Sequence, residues 1–408
     1  MAMPPRRTKS RISWALLLGA IIVFSGLGIP SAAEDPAWND AMKAAQKAMQ
    51  ESRYSDAEQF LRTAVKEAEK FPPGDRRLDV SFSGLATVLY YLGKYDEAER
   101  SYRQAIAILG KTLGPEHLRV AESLTGLALI YQLQNRHGEI ESLLSRSLAI
   151  REKVLGADHP DVAIALSNLA NLYSSQGKSD QADLLYRRAL AILEKVYGPD
   201  HLIVASTLNN LGILSASQGN AVEGERLLTR ALKIRQAALG AKHVDVASSL
   251  NNLGAFYNSQ GKPDEGERLL KRALVIQEAV RGPMHADVAI TLGHLGTSCE
   301  AQGRLPEAIS SIERSLAIWE RVAGPEDMRV AETLSNLARM YSGEGQYERA
   351  EPLQRRSLAI REKAAAVGPK DPALTRGLES YASLLRKMRR DREAIEIEAR
   401  LGATHLGH

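Results

Sequence analysis

Nine histidines occur in the 408 residues, and five of them, His117, His159, His201, His243 and His285, fall 42 residues apart. Imidazole is a common metal ligand, but one histidine per 42 residues separates neighbours by a whole repeat. Shared coordination at about 2.0–2.1 Å is then out of reach. Each instead stands between a glycine and the start of a helix, with Asp327 and Asp371 at the same position further on, which implies a local packing and hydrogen-bonding role in a turn. Arg146, Arg188, Arg230, Arg272, Arg314 and Arg356 form a second ladder. It is read as a solvated face with acidic neighbours such as Glu194 and Glu278, since arginine stems cover apolar surface. A third ladder is Asn168, Asn210, Asn252 and Asn336, with His294 at the same spacing. A side-chain amide both donates and accepts, so it matches a peptide bond without reading its side chain. The same amides could equally hydrogen-bond between adjacent helices. No phosphate-binding G-x-x-x-x-G-K-[ST] loop, H-E-x-x-H pair, G-x-S-x-G elbow or C-x-x-C pair is present, so neither an enzyme nor a cofactor or metal site is expected.

The elements that position these ladders repeat. Gly93, Gly177, Gly219, Gly261, Gly303 and Gly345 keep a step of 42, with Asn135 filling the gap, and Gly114 to Gly324 form a second series with the same step. A fixed period of this length signals stacked helical repeats. Within 161–202, Leu166, Leu169, Ala170 and Tyr173 follow the i, i+3, i+4, i+7 rule of one buried helical face. Gly177 breaks the helix. Ala182, Leu185, Tyr186, Ala189, Leu190 and Leu193 mark a second helix, which Gly198-Pro199 ends.

Leu169, Ala170, Tyr173, Gly177, Ala182, Tyr186 and Ala189 resemble the tetratricopeptide repeat, and LNNLG, QGK, RAL and GxxH within a 42-residue unit resemble its kinesin-light-chain type. The likeness covers 38–399. It implies an all-α, right-handed superhelical solenoid of antiparallel helix pairs whose first helices line a concave face. It also implies that asparagine at the Asn168 offset contacts the backbone of a bound peptide. The expected groove is therefore Asn168, Asn210, Asn252, His294 and Asn336, flanked by Ser167, Asn209, Asn251, Asn171 and Asn258. Ile213, Ala255 and Thr297 complete it with little charge apart from Arg339. That departs from family members that clamp a terminal carboxylate with basic residues. The expected partner is a protein or peptide, bound by a non-enzymatic scaffold; the alternative is a structural or assembly factor of the cell envelope acting through its convex face or by oligomerisation.

The net charge of +4 does not point to nucleic acid. Without Arg6, Arg7, Lys9 and Arg11, the remaining Lys and Arg balance the 49 Asp and Glu, and a nucleic-acid surface needs a basic patch. Those four residues precede an apolar run over 14–24 and the small residues Ser31-Ala32-Ala33, the pattern of an export signal ending before Glu34. An uncleaved anchor is the alternative, and either leaves the repeats outside the cytoplasm. The expected domains are a signal at 1–33, a degenerate helix pair at 34–76, seven 42-residue repeats at 77–366, a capping pair at 367–400 and a disordered tail at 401–408. Cys299 is alone, at a core position, and expected to be inert.

Overall fold

The computed structural model describes residues 36–72, 75–134, 136–365 and 372–406; the expected signal at 1–33 and the turn residue Asn135 lie outside them. The described chain is all-helical, without strands. It comprises α1 (Pro36–Gln50), α2 (Tyr54–Ala68), α3 (Arg76–Tyr91), α4 (Tyr95–Thr112), α5 (Leu118–Leu133), α6 (His137–Leu155), α7 (Pro160–Ser175), α8 (Ser179–Tyr197) and α9 (Leu202–Ser217) in a first compact unit. A second unit, divided from it between Asn220 and Ala221, holds α10 (Ala221–Leu239), α11 (Val244–Ser259), α12 (Pro263–Arg281), α13 (Ala286–Ala301), α14 (Leu305–Ala323), α15 (Met328–Gly343), α16 (Tyr347–Ala365), α17 (Pro372–Lys387) and α18 (Asp391–Leu406). The last helix runs six residues past the expected end at Arg400.

Within each unit an odd-numbered helix packs as the first member of a pair with the even-numbered helix after it, as in α1–α2 to α7–α8 and α11–α12 to α17–α18. In α7 the buried stripe is Val162, Ala163, Leu166, Leu169 and Ala170, and it meets Ala182, Tyr186, Ala189 and Leu193 of α8. Alanine at four of these positions, 163, 170, 182 and 189, lets the helix backbones approach closely. Between the two helices Gly177 adopts φ +77°, a conformation glycine takes without a side-chain penalty. Gly177 N–H donates to the Ser174 carbonyl and Lys178 N–H to the Tyr173 carbonyl, the paired bonds of a Schellman cap that satisfy the last carbonyls of α7. Within each unit each second helix also packs on the next first helix, so the core of the unit runs along its stack rather than around one centre. Among the described residues no helix is long and apolar enough to cross a membrane.

Candidate binding face

The asparagines expected to line a groove sit on first helices, but they do not behave alike. In the first unit Asn168 of α7 is 6 % exposed, and neither its donor nor its acceptor is used by another described residue. The Ser167 hydroxyl beside it is buried and also without a partner. Asn210 of α9 is engaged internally: its Nδ2 donates to Asn171 Oδ1 at 3.2 Å, and its Oδ1 lies 3.4 Å from Asn209 Nδ2. Asn171 Oδ1 also accepts the buried Tyr186 hydroxyl of α8. A relay of four side chains therefore ties α8, α7 and α9 together, which is the second of the two roles the sequence left open.

In the second unit Asn258 of α11 receives the Ser298 hydroxyl of α13 at 2.7 Å and donates to the His294 carbonyl at 3.0 Å. Asn251 Oδ1 accepts from Thr291 at 3.0 Å. Asn252 is half-buried and Asn336 is exposed. The His294 ring is half-buried, and loss of hydration of its charged form lowers its pKa from the usual 6.5 to about 4. It is therefore a neutral donor–acceptor at the asparagine position. Arg339, the one basic residue expected on this face, is neutralised by both carboxylate oxygens of Glu300.

The histidine ladder has a specific local role. His117, His159, His201, His243 and His285 are the N-caps of α5, α7, α9, α11 and α13, each accepting through Nδ1 the backbone N–H two residues on, at 3.1–3.3 Å. Asp75 and Asp327 do the same for α3 and α15 through carboxylate oxygens, at 2.9 and 2.8 Å. An accepting Nδ1 fixes the Nε2–H tautomer and satisfies one of the orphan donors of each first turn. No group of three or more His, Cys, Asp or Glu able to hold a metal occurs among the described residues.

The arginine ladder likewise finds acidic neighbours. Arg188 reaches Glu152, Arg314 reaches Glu278 and Arg356 reaches Glu320, each 36 residues earlier on the preceding second helix. Cys299 is 5 % exposed, and burial pushes its thiol pKa up, which makes it a poor nucleophile.

One buried group escaped the sequence reading. Asp79 of α3 is 0 % exposed and stands where six other repeats bury an alanine, Ala121 to Ala331. Its Oδ2 lies 2.6 Å from Arg119 Nη1 of α5. Burial outweighs that neighbour and raises its pKa to about 6. The signal was a charge at a position otherwise held by alanine.

Helix pairs stacked at constant spacing, with amides rather than charges on the first-helix face, define a repeat-built interaction scaffold. The tetratricopeptide-repeat family model matches residues 77–153, 119–195, 185–236, 204–279, 245–310 and 287–363, and the chain belongs to the tetratricopeptide-repeat family. No curated protein matches it. Among solved structures it is 26 % identical to BtubC (BKLC) from P. vanneervenii, over 57 % of this chain and 91 % of that one, with a TM-score of 0.46. The apo form of RapI is 17 % identical over 70 % and 98 %, at 0.58. The apo form of the quorum sensor NprR from B. thuringiensis is 12 % identical over 79 % and 87 %, at 0.60. The last two likenesses establish the shared fold.

Proposed function

We propose that this chain is a non-catalytic scaffold that holds an extended or helical segment of another protein along its first-helix faces. The observation that carries the reading is Asn168. This amide is engaged by no other described residue and its polar atoms still reach solvent, so a bound backbone can replace water there at a net gain of about 0.5–1.5 kcal/mol per bond. Asn210 and Asn171 hold the shape of that surface. Binding should depend little on salt, because Arg339 is already paired and the amides are neutral. The test is capture of partners from the exported fraction by the wild-type chain and by Asn168→Ala. A partner retained by the variant at full affinity would move the site elsewhere.

A second reading, assembly through the second helices, is favoured by Val154, Val196, Val280 and Val322. These share one repeat position and are 45–58 % exposed. Sedimentation of the chain with and without Val154→Ser and Val196→Ser distinguishes it from the first. The basic residues and the apolar run over 14–24 support export of the repeats in either case, and N-terminal sequencing of the exported chain reads the cleavage point.

A further inference from the structure

We infer that the first-helix face of the first unit carries, at Tyr91 and Leu133, a docking patch for a proline-rich segment in the extended polyproline conformation. The inference rests on the reading of the chain as a segment-binding scaffold and names the chemistry of the segment. Tyr91 of α3 and Leu133 of α5 share one repeat position and are 36 % and 41 % exposed. They follow by seven residues Gly84 and Gly126, which stand at the Asn168 position. Seven residues return to the same side of a helix about 10 Å further along, so the patch continues the face that holds Asn168. Later repeats place Ser175, Ser217, Ser259, Ala301 and Gly343 there.

The rings are held in fixed relation. Tyr91 stacks on Tyr54 of α2, with centroids 4.7 Å and planes 9° apart, and meets Tyr90 edge-on at 5.1 Å and 72°. The Tyr131 and Tyr173 hydroxyls each donate to a glutamate of the preceding second helix. Those of Tyr54, Tyr90 and Tyr91, by contrast, bond to no other described residue. Burial raises the pKa of the Tyr90 and Tyr91 phenols, which keeps both as donors. The cations flanking these tyrosines in the chain are already neutralised, Arg53 by Glu51 and Asp56, and Lys94 by Glu58. A preordered apolar surface with spare donors and no spare charge fits a ligand with apolar faces, free acceptors and few donors. A proline-rich backbone has that composition. Its pyrrolidine rings pack on aromatic faces, its carbonyls lack internal partners, proline has no N–H, and the segment is extended before it binds. A charged segment would find no counter-charge here.

The test is titration of the full chain with an oligoproline of roughly ten residues, about three turns of the polyproline helix, against a serine–glycine peptide of equal length. Oligoproline should bind saturably and the serine–glycine peptide should not. Tyr91→Ser and Leu133→Ser should each weaken oligoproline binding about tenfold or more. Tyr91→Phe keeps the stack with Tyr54; it should weaken binding about two- to tenfold through the lost donor and leave the melting temperature unchanged. Absence of saturable oligoproline binding, equal binding of the two peptides, or wild-type affinity in Tyr91→Ser overturns the inference. Partner capture that depends on Asn168 but not on Tyr91 also overturns it, and leaves the scaffold reading standing.

Discussion

Asn210 of α9 donates to Asn171 of α7 at 3.2 Å, while the side chain of Asn168, three residues before Asn171 on the same helix, has no hydrogen bond to another described residue. Two asparagines of one ladder thus have opposite duties. Asn210→Ala should cost stability, about 1 kcal/mol for the lost neutral hydrogen bond. Asn168→Ala should leave the melting temperature nearly unchanged and weaken partner binding. Parallel thermal melts and binding isotherms separate the two. Equal destabilisation by both would make Asn168 a strut as well.

Capping gives a prediction about the histidines. His159→Ala removes the acceptor for the Asp161 N–H and should cost about 0.5–2 kcal/mol, whereas His159→Asp should retain the stability, as Asp327 caps its helix four positions further along the same ladder. Added chelator should leave the melting curve unmoved. A chelator-induced drop would show that the histidines hold metal after all.

Why the sequence disclosed the helices and only part of the face has a physical cause. Period and cap residues are local, so Gly177, Gly198 and the His–Asp ladder could be read in order along the chain. The amides are different. Asn168 and Asn210 occupy equivalent positions, yet only Asn210 finds an acceptor, because Asn171 lies on the preceding first helix and is turned towards it by Tyr186. In the preceding repeat Leu129 stands where Asn171 does, so Asn168 has no corresponding amide. Such pairing depends on residues about forty positions apart. Asp79 was overlooked for a related reason: a lone carboxylate in the first turn of a largely apolar helix looks solvated until its neighbours are placed.

Two desolvated titrating groups, the half-buried His294 and the buried Asp79, make opposite contributions to stability in one pH window. His294 has a folded pKa near 4 against 6.5 unfolded. Between those values the unfolded chain binds the proton and the folded chain does not, so this contribution is lost as the pH falls from 6.5 towards 4. It amounts to no more than about 3 kcal/mol. Asp79 runs the other way, from 3.8 up to about 6. Its contribution is present below 3.8 and is lost as the pH rises through 6. His294→Asn should therefore flatten the pH dependence of amide protection in α13, and Asp79→Asn that in α3. Unchanged slopes in both variants would mean that neither group is desolvated in solution.

The second unit depends on a close crossing of α11 and α12 at two glycines. A Cβ on Gly266 would lie 2.9 Å from the Gly254 carbonyl oxygen and against the side chain of Asn258. A Cβ on Gly254 would lie 2.7 Å from Leu270 Cγ and 3.0 Å from the Gly266 carbonyl oxygen. Alanine in a helix interior ordinarily gains about 1 kcal/mol over glycine. Here the backbone of the partner helix cannot move aside without opening the pair, and overpacking costs about 1–3 kcal/mol. Gly266→Ala should therefore lower the melting temperature. It should also disturb Asn258, and with it the bonds from α11 to Ser298 and His294 of α13. Gly293 of α13 is the control, since a Cβ there meets nothing within 4 Å. Gly293→Ala should raise the melting temperature by the propensity gain alone. If the two alanines shift stability in the same direction, α11 and α12 are not held in contact through Gly254 and Gly266.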